Sequence, residues 1–156
     1  IQERKAGQAM ETAYGTINQV LVTLFNDIMR IEERALIEPG LSIREVHVIE
    51  AVCEAQESGL STMTDLAARL RITPGSLSVA VGTLVRKGYL HRVHDLADKR
   101  VNRMEATEAA LLVNKKHQDF HRQMTDSVIG HLNAEELAAL VHALGSINQY
   151  FQERGS

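Results

Sequence analysis

The chain has 156 residues, one cysteine, two prolines and no tryptophan, and 4% of its residues are aromatic. Its length suits one domain with a sizeable core, and its composition favours a mainly α protein. A single cysteine excludes an intrachain disulfide and is typical of a cytoplasmic protein, and no apolar run is long enough to cross a membrane.

The first half of the chain predicts three helices before residue 73. Residues 8–37 form one long helical pattern with a broad apolar stripe, which ends at Pro39 and Gly40. Ser42 and Glu45 form a capping box at the start of the second helix. A short third helix is predicted over residues 65–69, capped by Thr62 or Thr64.

Residues 73–87 predict a fourth helix with an unusual outward face. Thr73 is a good N-cap, Pro74 suits the first helical position, and Gly88 ends the helix. The outward face is small, weakly polar and free of acidic groups, as a helix that enters a DNA major groove requires. The candidate DNA contacts on this helix are Thr73, Gly75, Ser76, Ser78, Val79, Gly82, Thr83, Arg86 and Lys87.

After residue 88 the sequence changes from a helical pattern to one typical of a β-hairpin. Residues 89–94 and 101–105 predict two short strands, and residues 95–100 predict a polar turn between them. The hairpin carries basic side chains that suit phosphates or the minor groove: Arg92, His94, Lys99, Arg100 and Arg103. Helix, strand, basic tip and strand together predict a winged helix-turn-helix over residues 41–106.

Two further helices follow the hairpin, one capped by Thr107 and the last capped by Asn133 with Glu136. Their apolar stripes, with that of the first helix, exceed what one small core needs. We therefore expect a single domain over residues 1–156 in which residues 1–40 and 107–156 form a helical dimerisation region.

Charge is unevenly distributed along the chain. The net charge is −3, but residues 61–104 carry +5 and the remainder carries −8. A basic module in an acidic body is the pattern expected of a protein that contacts DNA locally.

The sequence resembles the MarR family of bacterial transcriptional regulators. The resemblance rests on Gly-Ser-Leu-Ser at residues 75–78, Leu-Val-Arg-Lys-Gly-Tyr-Leu at residues 84–90 and Asp-x-x-Asp-Lys-Arg at residues 95–100. Within the family the chain is similar to FabT-type repressors of fatty-acid synthesis. This implies a homodimeric repressor on double-stranded DNA, with an acyl chain on acyl carrier protein as effector. Apolar walls for that chain would come from Leu21, Leu24, Phe25 and Ile28.

A histidine set offers a different effector. His117 and His121 share one helix face at i and i+4, and with a third ligand they suit a zinc site. His47 lies on the second helix, and Glu32 and Glu33 lie near the end of the first. The chain is also similar here to zinc-sensing MarR members, whose matching histidines bind metal but which have Glu where this chain has Lys116. A polar, hydrogen-bonded cluster without metal is the alternative.

An enzyme is not expected, because glycine-rich phosphate loops and nucleophile motifs are absent from the sequence. Cys53 lies on an apolar face near Glu50 and Glu54, which predicts a buried structural thiol and not a redox sensor. A third functional alternative is a dimeric helical scaffold that binds a protein in place of DNA.

Overall fold

A computed structural model of the chain describes residues 2–35, 39–59, 61–95 and 102–154, and side chains from residue 11 onward within these ranges. The described residues form, in chain order, α1 (Gln2–Ala35), α2 (Ile43–Glu57), α3 (Met63–Leu70), α4 (Pro74–Arg86), β1 (Leu90–His94), β2 (Asn102–Ala106), α5 (Glu108–Ile129) and α6 (Ala134–Arg154). The predicted class, mainly α with a small β-wing, is confirmed.

Side-chain caps decide where the helices begin. Ser42 and Glu45 form the predicted capping box of α2, with the Ser42 amide donating to Glu45 over 2.8 Å. Thr62, one of the two predicted caps of α3, forms a second capping box with Asp65. Each box satisfies amide groups that the first helical turn leaves without an intrahelical acceptor.

The β-hairpin is antiparallel, with Leu90 opposite Ala106 and His94 opposite Asn102. β1 begins one residue later than predicted because the Tyr89 amide caps the end of α4. The Tyr89 amide donates to the Leu84 carbonyl over 2.9 Å, and Gly88 adopts a left-handed φ of 81° that glycine tolerates.

A single apolar core joins α2, α3, α4, the hairpin and the start of α5. It is built from the apolar faces that the helical and strand periods predict, and it fixes α4 with one face inward. Its fully buried large side chains include Ile49, Val52, Leu66, Leu77, Val81, Leu84, Leu90 and Met104.

The chain divides into two units, Ile1–His117 and Gln118–Ser156. The first unit contains the core. In the second, Asn133 caps α6 through the amides of Glu135 and Glu136, each at 3.0 Å. Every described apolar side chain of α6 is at least partly exposed, including Val141, Leu144, Tyr150 and Phe151.

Candidate nucleic-acid interface

Helix α4 begins with a strong local signal. Thr73 has extended backbone dihedrals and its hydroxyl accepts a hydrogen bond from the Ser76 amide at 3.1 Å. The Thr73 and Ser76 hydroxyls also lie 2.9 Å apart. Pro74 occupies the first turn, where a missing amide hydrogen costs nothing. The start of α4 is therefore fixed by residues 73–76 themselves.

The two faces of α4 have opposite environments. Leu77, Val81 and Leu84 are 0% exposed in the core, whereas Val79 on the outward face is 73% exposed. Ser76 and Ser78 are exposed, and Thr83 is half-buried. The core thus holds α4 rigidly while it presents small side chains to solvent, which is the arrangement predicted for a helix that enters a groove.

Two glycines interrupt this outward face. A Cβ atom at Gly82 would have no neighbour within 4 Å, and one at Gly75 would meet only the Thr73 hydroxyl, at 3.9 Å. Neither glycine has a positive φ. Glycine inside a helix costs about 0.5–1 kcal/mol relative to alanine. Neither packing nor backbone conformation within the described chain requires these glycines, whereas close approach of a partner would.

The last turn of α4 holds two basic residues with different surroundings. The Arg86 guanidinium is exposed and donates to the Thr83 hydroxyl over 3.1 Å. The Lys87 ammonium lies 2.7 Å from Glu45 and also donates to the Gly40 carbonyl. Lys87 was expected to reach the DNA backbone, but in the folded chain its charge is engaged at the start of α2.

The contact with Lys87 also affects Glu45. Burial raises the pKa of the Glu45 carboxyl, but its hydrogen bonds with Lys87 and Ser42 outweigh burial and hold the pKa below its usual value. Lys87 therefore tethers α4 to the capping box of α2.

A cleft of about 750 Å³ lies between α2 and α4. Arg44 and His47 line one side, and Ser76 and Val79 line the other. Arg44 is exposed, and the sequence argument missed it because it precedes the basic segment counted from residue 61. The fold places this cation beside the outward face of α4.

The described part of the wing carries Arg92 and His94 as exposed side chains on β1. Arg103 has a structural role, since it donates to the Asp95 carboxylate and to the Gly59 carbonyl. Lys99 and Arg100, the predicted tip residues, lie outside the described residues.

A buried polar cluster joins α1, α2 and α5 within the first unit. Glu32 and His117 are 2% and 1% exposed, and Glu32 Oε1 lies 2.6 Å from His117 Nε2. The same carboxylate oxygen lies 3.2 Å from His47 Nε2. On the far side of the His117 ring, Nδ1 lies 3.3 Å from Glu50 Oε1. The ligand atoms of Glu32, His47 and His117 all lie within 4.8 Å of one another.

The two carboxylates beside His117 change the pKa of its ring. Burial disfavours the charged ring and by itself lowers its pKa, but hydrogen bonds and charge from Glu50 and Glu32 outweigh burial and raise the pKa above its ordinary value. A protonated His117 would present an N–H to the carboxylate that faces each ring nitrogen, and the neutral tautomer protonated at Nδ1 would present the Nε2 lone pair to a metal.

Of the three histidines predicted to form a site, the structure brings His47 and His117 together, and metal binding by them stays a prediction. The cluster found among the described residues contains Glu32 as its third member and does not include His121. Glu32 is one of the two acidic residues noted near the end of the first helix, and the fold brings it, not Glu33, into the cluster.

The four predicted effector-pocket residues lie on α1, and three of them are exposed in the described chain. Leu24 and Phe25 are 50% and 65% exposed, Leu21 is 36% exposed, and Ile28 is half-buried. A groove of about 460 Å³ on α1 includes Leu24 but none of the other three.

Cys53 is buried in the core. Burial, with the nearby charge of Glu57, raises the pKa of its thiol to about 11. The thiol is therefore protonated at neutral pH and inaccessible, as expected of a structural cysteine.

Comparison with known proteins agrees with this architecture. Residues 40–101 match the sequence model of the MarR family. Streptococcus pneumoniae FabT, solved in complex with DNA, is similar at 29% identity over 90% of this chain and 98% of that chain, with a TM-score of 0.82. By both comparisons the chain is similar to the MarR family. MarR members are winged-helix DNA-binding transcription regulators and not enzymes.

Other solved structures support the fold alone. Staphylococcus aureus MepR in complex with DNA is 17% identical over 85% of this chain and 94% of that chain, with a TM-score of 0.72. The MarR family transcription regulator SP03579 is 16% identical over 94% of each chain, with a TM-score of 0.77. No curated protein matches this chain in sequence. Among its described helices, none combines the length and apolar character needed to cross a membrane.

Proposed function

We propose that this protein is a MarR-type repressor that binds a pseudo-palindromic operator as a homodimer. The observation that carries the proposal is the outward face of α4, which the core holds rigid and which presents small side chains and two glycines to solvent. This face fits a DNA major groove.

Different positions along α4 would make different kinds of contact with DNA. Gly75 and Gly82 allow the backbone to approach the DNA closely. Arg86 contacts the DNA backbone, as Thr73 does at the other end of the helix. Base-edge contacts come from the outward side chains between these ends, namely Ser76, Ser78, Val79 and Thr83.

Phosphate contacts would flank α4 on both sides. Arg44 borders the cleft beside the helix, and Arg92 projects from β1. In the wing tip we propose Lys99 and Arg100. Lys87 takes no part, because Glu45 and the Gly40 carbonyl already engage its ammonium.

Dimerisation would place two such modules on one operator. α1 and α6 each carry exposed large apolar side chains, for example Phe25 at 65% and Phe151 at 58%. Residues 1–40 and 107–156 are the proposed dimerisation region. A twofold axis would then set two α4 helices about one DNA turn, ~34 Å, apart.

The effector we favour is an acyl chain carried by acyl carrier protein, with genes of fatty-acid synthesis as targets. The similarity to FabT supports this choice. Leu21, Leu24, Phe25 and Ile28 would contact the chain once a second subunit closes their exposed face.

Zinc is a second candidate effector, which the buried cluster favours. Zinc bound by nitrogen and oxygen at about 2.0 Å holds its ligands roughly 3.3 Å apart in tetrahedral geometry, close to the separation of His47 and Glu32. Glu50 beside His117 Nδ1 would fix the tautomer that leaves Nε2 for the metal.

Mass spectrometry of the natively purified dimer separates the two effectors. A mass increment of one zinc per subunit would support the metal site, and a co-purified acyl chain or acyl carrier protein would support the acyl effector.

Duplex-binding assays of Arg92→Ala and Arg100→Ala test DNA binding. Both variants should bind all duplexes more weakly, whereas Arg122→Ala, an equal loss of charge on α5, should not. Unchanged affinity of both wing variants at physiological salt would contradict the wing assignment.

A further inference from the structure

The hydroxyl groups of α4 are largely engaged within the helix. The Thr83 hydroxyl donates to the Val79 carbonyl over 3.1 Å and accepts from Arg86 over 3.1 Å. The hydroxyls of Thr73 and Ser76 bond to each other. A hydroxyl has one hydrogen to donate, so in the free chain Thr83 turns its donor inward, and donating to a base edge would require its hydroxyl to rotate.

Val79, in contrast to these hydroxyl-bearing residues, is apolar and exposed. It is 73% exposed at the middle of the outward face. Gly75 and Gly82 stand at i−4 and i+3, the positions that neighbour Val79 on a helix surface. The other two neighbours, Ser76 at i−3 and Thr83 at i+4, have small side chains, so Val79 stays largely open to solvent.

The chemistry of an exposed valine selects one base. Valine has no donor or acceptor, so it cannot read the hydrogen-bonding pattern of a base pair. In the major groove, thymine is the standard base that presents a methyl group, and apolar side chains contact it.

We propose that Val79 is a specificity-determining residue that reads the 5-methyl group of a thymine in each operator half-site. This inference rests on the proposed function, since it requires α4 to lie in the major groove. Gly75 and Gly82 assist by removing side chains that would hold Val79 away from the base.

Deoxyuridine, which is thymine without the methyl group, provides the test. A DNA sequence is first selected by the full chain from a pool of random duplexes and is then resynthesised with one thymine at a time replaced by deoxyuridine. One buried methyl contributes about 0.8 kcal/mol, which is roughly fourfold in Kd. We expect one sensitive thymine per half-site and about a sixteenfold loss when both are replaced.

Val79→Ala makes the test specific to the contact. In this variant the same deoxyuridine replacement should change Kd by less than about twofold, since the partner methyls are gone. Arg92→Ala should bind more weakly overall yet keep the full deoxyuridine effect. Circular dichroism checks the fold of Val79→Ala, an exposed position.

The outcomes separate this inference from the proposed function. Selection of a sequence without any deoxyuridine-sensitive thymine would overturn the Val79 proposal while leaving DNA binding intact. A deoxyuridine effect that persists in Val79→Ala would overturn it too. Failure to select any sequence would overturn the proposed function itself.

Discussion

Replacing Gly82 by alanine should raise stability and lower DNA affinity at once. The added Cβ would have no neighbour within 4 Å, and Gly82 lies inside Pro74–Arg86 without a positive φ. Alanine should therefore stabilise the fold by about 0.5–1 kcal/mol through its better helix propensity. In a complex with DNA the same methyl would meet the groove, and overpacking of about 1–3 kcal/mol corresponds to a roughly 5- to 150-fold loss of affinity.

Urea unfolding at one fixed protein concentration measures the first effect, and fluorescence anisotropy with a labelled duplex measures the second. Gly145→Ala in α6 is the control for helix propensity, because a Cβ there also has no neighbour within 4 Å. Since α6 lies in the proposed dimerisation region, native mass spectrometry first checks that this variant is a dimer; it should then gain similar stability without the loss of DNA affinity. A Gly82→Ala protein that is more stable and binds DNA as tightly as the wild type would refute the reasoning.

Two further predictions concern side chains that form ion pairs within the fold, Lys87 and His117. Lys87→Met should lower the free energy of unfolding by about 1 kcal/mol, because the contact with Glu45 is lost. The variant should leave the salt dependence of DNA binding unchanged. A shallower salt dependence would show that Lys87 contacts DNA. The raised pKa of His117 means that the folded state binds its proton more tightly than the unfolded state does. With a metal chelator present, the wild type should be more stable than His117→Gln, and this difference in unfolding free energy should be largest below about pH 6.5 and shrink as pH rises through the folded-state pKa. A difference that grows with pH would contradict this. So would the same difference in His131→Gln, a control at an exposed site.

Local signals made much of the fold predictable. The caps at Ser42, Thr73 and Asn133 act within three residues of their partners, so the sequence carries their effect directly. The placement of α4 and the inward position of Leu77 and Val81 follow from the helical period in the same way.

Contacts between distant segments were not predictable. Lys87 was expected at the DNA backbone, because nothing near it in sequence shows that Glu45 lies beside it in the fold. Spacing correctly put His117 and His121 on one helix, but tertiary packing brings Glu32 to His117 from 85 positions away.

The apolar stripe of α1 shows a different limit. Its residues satisfy the same pattern whether they line an acyl pocket or a subunit interface, and in the described chain Leu24 and Phe25 are exposed. Periodicity reports which face is apolar, not what covers it.

The salt dependence of duplex binding tests the central claim most directly. Neutralised phosphates release counterions, so log K falls with log salt concentration with a slope of about −0.9 per contact. The proposed set of Arg44, Arg86, Arg92, Lys99 and Arg100 would give ten contacts per dimer and a slope of about −9 if all are made. We predict a slope between about −4 and −9; a flat response would contradict DNA binding and favour a scaffold that binds protein.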